Sequence, residues 1–418
     1  MNLKIHRGTN QIGGNIIEIV AEQGDKPVKI FFDCGANLPP LDRSQWDDNM
    51  KIDGLTRGTS DCDALFITHY HSDHCGLMPR VNDDIPIYSS RETASVLRII
   101  SDFIDMPRPK IRIVEPGVTV NIRGVDILPI GVRHSARGAM MFLVKTEGQK
   151  LLYTGDFGDF RDIDYSMLRD ADVMLCEGTN INTPGGMTED DVEAEAVKIM
   201  EETRGNVFVL CSSTNIDRIA AIEKACARSE RTLAIDPFMN AIMESIAPIR
   251  SIPSIGFVPR FMNKESPRAH EYLAKYLSGG NEFFKGAKNI ALRDDLVFMV
   301  RPTMKCFIKR LDKYKSVSDS ALIYSIWGGY KKTEPVSDFL ATAQSLGMRI
   351  IELHASGHAY RREIEAAVRS VSPKTLIPIH TESSAEFKTM HNNVVLLKDG
   401  ENFAVSPDGR SEKTSRER

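Results

Sequence analysis

Thr68-His-Tyr-His-Ser-Asp-His-Cys-Gly76 is the stretch on which the reading of the whole chain turns. Three histidines and an aspartate (His69, His71, Asp73 and His74) fall within six positions, although only ten histidines occur in 418 residues. The preceding Ala64-Leu-Phe-Ile is a short apolar run of the kind that forms a buried strand. Alternate side chains of extended backbone share a face, so His69 and His71 point together and can hold one metal. Where the chain then turns, Asp73 and His74 swing to a second position beside the first. An imidazole-rich set with one carboxylate suits zinc or a similar divalent ion. Cys75 adjoins the cluster and offers a further ligand atom, although packing is the commoner use of a buried cysteine.

The H-x-H-x-D-H pattern resembles the signature of the metallo-β-lactamase fold superfamily. That resemblance implies further residues in a set order, each at the end of a strand. Asp33 closes Lys29-Ile-Phe-Phe-Asp, and His134 follows the apolar stretch Val125 to Val132. Asp156 ends Leu151-Leu-Tyr-Thr-Gly-Asp, and His380 ends Thr375-Leu-Ile-Pro-Ile-His. An Asp at a strand end is ordinarily a turn former or a cap, so the order of the set carries the argument, not any single member.

Bulk properties bound the rest. With 42% hydrophobic and 26% charged residues the chain reads as ordinary globular protein, long enough for two cores. No run approaches the ~20 apolar residues of a membrane helix, and the N-terminus lacks a signal-peptide core, so no membrane partner is expected. Seven scattered cysteines without a C-x-x-C pair fit a reducing cytoplasm. Net charge is −4, yet residues 260–315 hold thirteen Lys or Arg against six acids. Such a stretch either meets a phosphate backbone or forms a solvated face, with Lys305, Lys309 and Arg310 spaced to share one helix side.

Residues 1–160 read as successive strands with turn signals, interrupted by a helix from about Arg91 to Ile104. The texture changes after Asn182-Thr-Pro-Gly-Gly. Thr188 caps a helix to about Glu202, Asn206 to Cys211 is a buried strand, and Ser212-Ser-Thr-Asn opens a helix through about Ser229. Strand, helix, strand at these lengths is a unit of a parallel sheet. Further strands are predicted at Ala321–Trp327, Arg349–Leu353 and 375–380, with helices near 335–346 and 361–371. Asp156 and His380 stand 224 residues apart, so residues 182–348 read as an inserted α/β domain. The expected organisation is a first part at 1–181, the insert, a second part at 349–408, and a disordered tail at 409–418.

A metallo-β-lactamase fold with such an insert is similar to the β-CASP nucleases, and local motifs resemble the ribonuclease J group. These are Arg7-Gly-Thr-Asn-Gln-Ile-Gly-Gly-Asn, Thr154-Gly-Asp-Phe, Glu177 in Cys-Glu-Gly-Thr-Asn, Ala355-Ser-Gly-His358, and His380 in Pro-Ile-His-Thr-Glu. The resemblance spans nearly all of residues 1–405 and implies an α/β chain: a metallo-β-lactamase αββα sandwich carrying a β-CASP parallel domain. It further implies that His69, His71, His134 and Asp156 hold one metal, and Asp73, His74, Asp156 and His380 the other. The ions expected are two Zn²⁺, with Mn²⁺ as the alternative. Asp33 would fix a ligand imidazole, His358 would donate a proton to the departing sugar oxygen, and Glu177 would orient His358 or a ligand; with Asp73 these form the catalytic set. For phosphate, Ser212, Ser213, Thr214 and Asn215 lie at a strand-to-helix turn whose free N–H groups favour an anion, with Arg218 one turn in. His354, Ser356 and Gly357 resemble the loop that holds a nucleotide phosphate near the metals.

The chain departs from the group in three places. It ends near 408, without room for the C-terminal domain that helps subunits associate, which leaves a homodimer an open expectation. Glu177 stands where Asp is more usual, and Thr381 where Gly is. The function implied is a metal-dependent ribonuclease acting on single-stranded RNA, 5′-to-3′ if a closed pocket takes the 5′-phosphate and also endonucleolytic if the channel is open. Two other readings compete. A thioester or lactam hydrolase of the same fold shares the histidine motif but has no use for the insert or His358, and a silent RNA-binding subunit would be expected to have lost ligands. RNA against DNA stays open, because the 2′-OH is read by geometry.

Overall fold

A computed structural model describes residues 1–22, 26–38, 50–146, 148–159, 163–246, 254–258, 266–278, 283–285 and 287–405. The tail expected at 409–418 lies outside these, as do Arg260 and Lys264 of the basic stretch.

Two sheets built from the chain's outer segments pack face to face. The first has seven strands and pairs Asn2–Arg7, Ile16–Ala21 and Val28–Phe32 antiparallel before continuing parallel through Ala64–Phe66, Ile87–Ser89 and Ile111–Ile113. The second has six, with Val125–Gly131, Met140–Thr146 and Gln149–Tyr153 antiparallel, then Val173–Glu177 and Thr375–Ile379 parallel. Alternate residues of both sheets, among them Ile17, Ile30, Phe32, Phe66, Phe142, Tyr153, Leu175 and Ile379, form one buried core between them. On the outer face of the second sheet the apolar stripe Ile364, Ala367, Val368 and Val371 of helix Arg361–Val371 packs down. The outer face of the first carries Ile52, Leu55, Cys75, Leu77 and Met78. This is the expected αββα sandwich.

The insert is a seven-stranded parallel sheet in the order Phe283–Lys285, Ser254–Val258, Thr232–Ile235, Leu296–Val300, Val207–Leu210, Ala321–Tyr324, Arg349–Glu352. Its central strands are buried along their whole length, as parallel strands covered on both faces must be. The helix predicted after Thr188 runs Glu189–Glu202 and starts on a full capping box, the Thr188 hydroxyl accepting from Asp191 N–H while the Asp191 carboxylate accepts from Thr188 N–H. Arg91–Phe103, Ile216–Arg228, Glu334–Ser345 and Arg361–Val371 fall within a few residues of their predicted bounds. One boundary moves. Arg349–Glu352, expected in the second part of the sandwich, hydrogen-bonds to Ala321–Tyr324 and so completes the insert sheet.

The insert sheet has two unlike faces. Val207, Val209, Leu233, Val297 and Met299 share a core with Tyr70, Val96, Ile99 and Ala136 of the sandwich. Phe208, Leu210, Phe298 and Val300 face away and are covered by Phe307, Ile308 and Leu311 of helix Lys305–Tyr314. No helix among the described residues is long and apolar enough to cross a membrane.

Candidate metal centre

Every residue of the histidine cluster lies just past the carboxyl end of a strand. Asp33 and His380 leave their strands in the left-handed backbone region, at φ 57° and 51°, which turns both side chains inward from the sheet edge. Non-glycine residues hold that conformation only where surrounding structure enforces it. The turn Ser72–Cys75 passes so close to the loop after Val28–Phe32 that a Cβ at Gly35 would sit 1.7 Å from the Asp73 carbonyl oxygen. Glycine there lets the two loops meet, through Cys34 N–H to His74 O and Ala36 N–H to Ser72 O.

The ligand atoms fall into two groups that share Asp156. Those of His69, His71, His134 and Asp156 lie within 4.8 Å of one another, as do those of Asp73, His74, Asp156 and His380. Asp156 Oδ2 lies 3.7 Å from Nε2 of both His69 and His134, and 3.0 Å from His74 Nε2. His380 Nε2 lies 3.3 Å from Asp73 Oδ2 and 3.6 Å from Asp156 Oδ1. A third overlapping group joins Asp156 and His380 to Glu177 and His358.

The chemistry of this pocket fits divalent ions. His69 Nε2, His74 Nε2 and Asp156 Oδ1 are buried with no hydrogen-bond partner, a costly arrangement for buried polar atoms. Four of the five ligand imidazoles, all but that of His71, have the outer ring nitrogen held from behind. His74 Nδ1–H donates to Asp33 Oδ2 at 2.7 Å, His134 Nδ1–H to the Gly357 carbonyl at 2.8 Å, and His380 Nδ1–H to Thr179 Oγ1 at 2.8 Å. His69 Nδ1–H donates to Thr68 Oγ1 at 3.0 Å, and that hydroxyl passes its own proton to Asp33. Tyr153 O–H also donates to Asp33, at 2.6 Å. Each bond fixes the ring so that, once neutral, its inner nitrogen presents a lone pair to the cluster.

Protonation in the ion-free pocket follows from burial and charge. Burial holds the His69 and His134 imidazoles well below their usual range, and His71 at about 4. His74 behaves oppositely, because burial is outweighed by the carboxylates of Asp156, Asp33 and Asp73. His358 is likewise lifted to about 9, against burial, by Glu177 and then Asp156. Its Nδ1 lies 3.0 Å from Glu177 Oε1, and the fully buried Glu177 also accepts from the N–H groups of Phe157 and Thr179. Burial pushes the carboxyls of Asp73 and Asp156 up, but the surrounding histidines reverse this and hold both low.

The phosphate candidates divide. His354, Ser356 and Gly357 lie on the loop that carries His358, with Ser356 Oγ accepting from His358 N–H at 3.1 Å. Ser212 is exposed, its hydroxyl 2.8 Å from that of Thr214, while Ser213 is buried and its Oγ accepts from Arg301. Asn215 is the cap of helix Ile216–Arg228, accepting from Arg218 N–H. Arg218 lies elsewhere than expected. Its guanidinium is wholly buried and donates to both Glu189 oxygens, to Ser325, and to the Ala355 carbonyl, so it ties the insert together and offers no donor to a ligand. Cys75 is buried in the apolar cluster outside the first sheet and belongs to none of the ligand groups. Lys305 pairs with Asp338, Lys315 with Asp294 and Arg301 with Asp236, and helix Lys305–Tyr314 covers the insert face turned away from the sandwich. Part of the basic stretch is thus paired with acids, and its helix Lys305–Tyr314 lies on the side of the insert away from the metal centre. Thr68, Tyr153 and Thr179 were not singled out from sequence, although Thr68 and Thr179 sit inside the quoted motifs.

Comparison with known proteins agrees with this geometry. A family described as "Beta-lactamase superfamily domain" matches residues 29–211, and one described as "Zn-dependent metallo-hydrolase RNA specificity domain" matches 345–388. The chain is similar to ribonuclease J of Sinorhizobium meliloti, 23% identical over 424 residues that cover 90% of this chain and 69% of that protein. It is similar to ribonuclease J of Mycoplasma pneumoniae, at 27% over 408 residues covering 90% and 67%. That of Mycobacterium tuberculosis matches at 24% over 414 residues, covering 89% and 67%. A solved structure of a protein of unknown function from Enterococcus faecalis V583 shares the fold, with TM-score 0.74 at 19% identity, covering 96% of this chain and 99% of that one.

Proposed function

We propose, for a chain that is a ribonuclease J-like protein of the metallo-β-lactamase fold, that it is a ribonuclease using two divalent ions, zinc in the first instance and manganese as the alternative. The observation that carries this is the pair of ligand groups joined at Asp156, with buried nitrogen and oxygen atoms that meet no hydrogen-bond partner, set beside the His358–Glu177 pair. His69, His71, His134 and Asp156 would hold one ion, and Asp73, His74, Asp156 and His380 the other. Ions bound there supply Lewis acidity to a phosphodiester and neutralise the charge that builds on its oxygens.

The protein's own groups do the rest. Asp33 fixes the tautomer of His74, and through Thr68 that of His69. Asp73, held ionised by the neighbouring histidines, accepts hydrogen bonds beside the attacked phosphorus. Glu177 keeps a proton on His358 and aims the ring. As water adds to phosphorus and the bond to the ribose oxygen breaks, His358 delivers that proton to the leaving oxygen, and the proton given up by the water completes the balance. The loop His354–His358 and the hydroxyl-bearing turn at Ser212 leave the insert sheet at the same edge, from strands that flank Ala321–Tyr324. They are suited to a strand's phosphates, and we infer 5′-to-3′ exonucleolytic degradation, with internal cuts where the groove admits an unbroken strand. A thioester or lactam hydrolase would have no need of the His358–Glu177 pair.

The test presents zinc-loaded protein with matched RNA and DNA oligomers bearing 5′-monophosphate, triphosphate or hydroxyl ends. Mononucleotides released progressively from monophosphorylated RNA are the expected result. No cleavage of any RNA by fully metallated protein would overturn the reading.

A further inference from the structure

Resting on that ribonuclease reading, we propose that Trp327 is the stacking surface for a nucleobase of the strand lying next to the metal centre. Trp327 is 42% exposed, on the loop that follows strand Ala321–Tyr324. That strand lies between Val207–Leu210 and Arg349–Glu352, and all three run parallel in register. The Trp327 loop therefore leaves the sheet at the same edge as Ser212 and as the loop of His354–His358.

The indole is held, not loose. Tyr324 O–H donates to the Trp327 carbonyl at 2.8 Å, and the Tyr330 ring meets the indole edge-on, with centroids 5.5 Å apart at 88°. Gly329 lies under the ring, and a Cβ there would come within 2.2 Å of two indole carbons. On the neighbouring side Gly328 opens onto free space, with nothing within 4 Å of where its Cβ would be. One surface is thus packed on the loop while 42% of the residue stays exposed.

Tyr330 lies within electrostatic reach of the metal centre. Burial, and next the charge of Asp73, push its phenol up to about 12, so the tyrosine that braces Trp327 feels the carboxylate of a ligand. Charge on the loop also suits a nucleic acid. Lys331 is occupied by Glu352 and stands over the Tyr324 ring at 4.9 Å, whereas Lys332 is exposed and has no ion pair among the described residues. A braced aromatic face with a free cation beside it, at the same sheet edge as the proposed phosphodiester site, matches how single strands are held without sequence preference.

The test uses a pentanucleotide RNA, and the same pentamer with one base removed in turn from each position. Trp327→Ala should raise KM for the intact pentamer by about tenfold, within the range of fivefold to a hundredfold that one stacked base is worth, and leave kcat and metal content nearly unchanged. Trp327→Phe should recover most of the loss. Removing the stacked base should weaken the wild type by a similar factor and add nothing to Trp327→Ala. Binding is read separately, in chelated protein carrying Trp46→Phe, as quenching of Trp327 fluorescence by the pentamer. Quenching by the intact pentamer and not by a fully abasic one supports stacking whether or not cleavage occurs. Absence of quenching, or an unchanged KM in Trp327→Ala, overturns it. Quenching without any hydrolysis by metallated wild type would overturn the ribonuclease reading alone and leave stacking standing.

Discussion

Glu177→Gln keeps the shape of a buried side chain and deletes one negative charge 3.0 Å from His358 Nδ1. In the ion-free protein burial disfavours the charged imidazole, and Glu177 is the leading group that reverses this, with Asp156 next, to give about 9. A unit charge ~4 Å away, acting through an effective dielectric of ~20, is worth ~4 kcal/mol, or ~3 pH units. Asp156 remains 3.8 Å from the ring and blunts the change, so a fall of about 1 to 2 units is expected. Proton NMR of the His358 ring, identified by its loss in His358→Ala, measures this directly in chelated protein. Bound cations will lower the value in both forms, yet the sign of the difference persists. A proton donor must enter the reaction charged, so kcat falls as pH rises through its pKa, and Glu177→Gln should move that falling limb to lower pH. Stability changes in parallel. A histidine raised in the folded state stabilises it fully below the unfolded value near 6.5, and that contribution is lost as pH climbs through about 9. The Tm of chelated wild type should accordingly drop over that window, and by less in the variant. The variant also starts lower, because Phe157 N–H and Thr179 N–H both donate to Glu177 and one would face an amide donor, at a cost of roughly 1–3 kcal/mol. An unmoved His358 resonance together with an unmoved falling limb would refute the account.

Three other outcomes follow from the same geometry. Asp73→Ala with His74→Ala should halve the metal content from two equivalents to one and remove nearly all hydrolysis; two retained equivalents by elemental analysis would contradict the ligand assignment. Asp33→Asn should weaken metal binding by about 10- to 100-fold, since His74 Nδ1, Thr68 and Tyr153 all donate to that carboxylate, and calorimetric titration with zinc would read it. Arg218→Ala should cost about 3–5 kcal/mol in urea unfolding by stranding Glu189 and the Ala355 carbonyl, while the salt dependence of RNA binding stays unchanged; a flattened slope in a stable variant would restore Arg218 as a phosphate contact.

The parts of the molecule legible in the sequence are those fixed by local chemistry. Alternation put His69 and His71 on one side, strand ends marked Asp33, Asp156 and His380, and Thr188 announced its helix through a cap completed three residues later. The readings that moved depend on partners far along the chain. Arg218 looked like an anion binder because helix N-termini favour one, but its fate is set by Glu189 and by Ser325, which lies 107 residues on. The lysines of Lys305–Tyr314 looked like a shared face, and they are one, turned outward from the insert. Strand Arg349–Glu352 could not be assigned to either sheet from its own residues, since parallel pairing is decided by the neighbour.

That last strand has a consequence for anyone purifying the protein. The seven residues proposed to carry the ions lie outside the insert, whereas His358 hangs six positions beyond Glu352, the end of the insert's edge strand, and reaches the sandwich through Glu177, Asn180 and the backbone of Gly357 and Ala359. Damage confined to the insert, by proteolysis or partial melting, would leave the seven ligands in place while loosening one end of the loop that carries the proton donor. Metal stoichiometry is therefore a poor certificate of competence here, and active-site counting should be done by turnover.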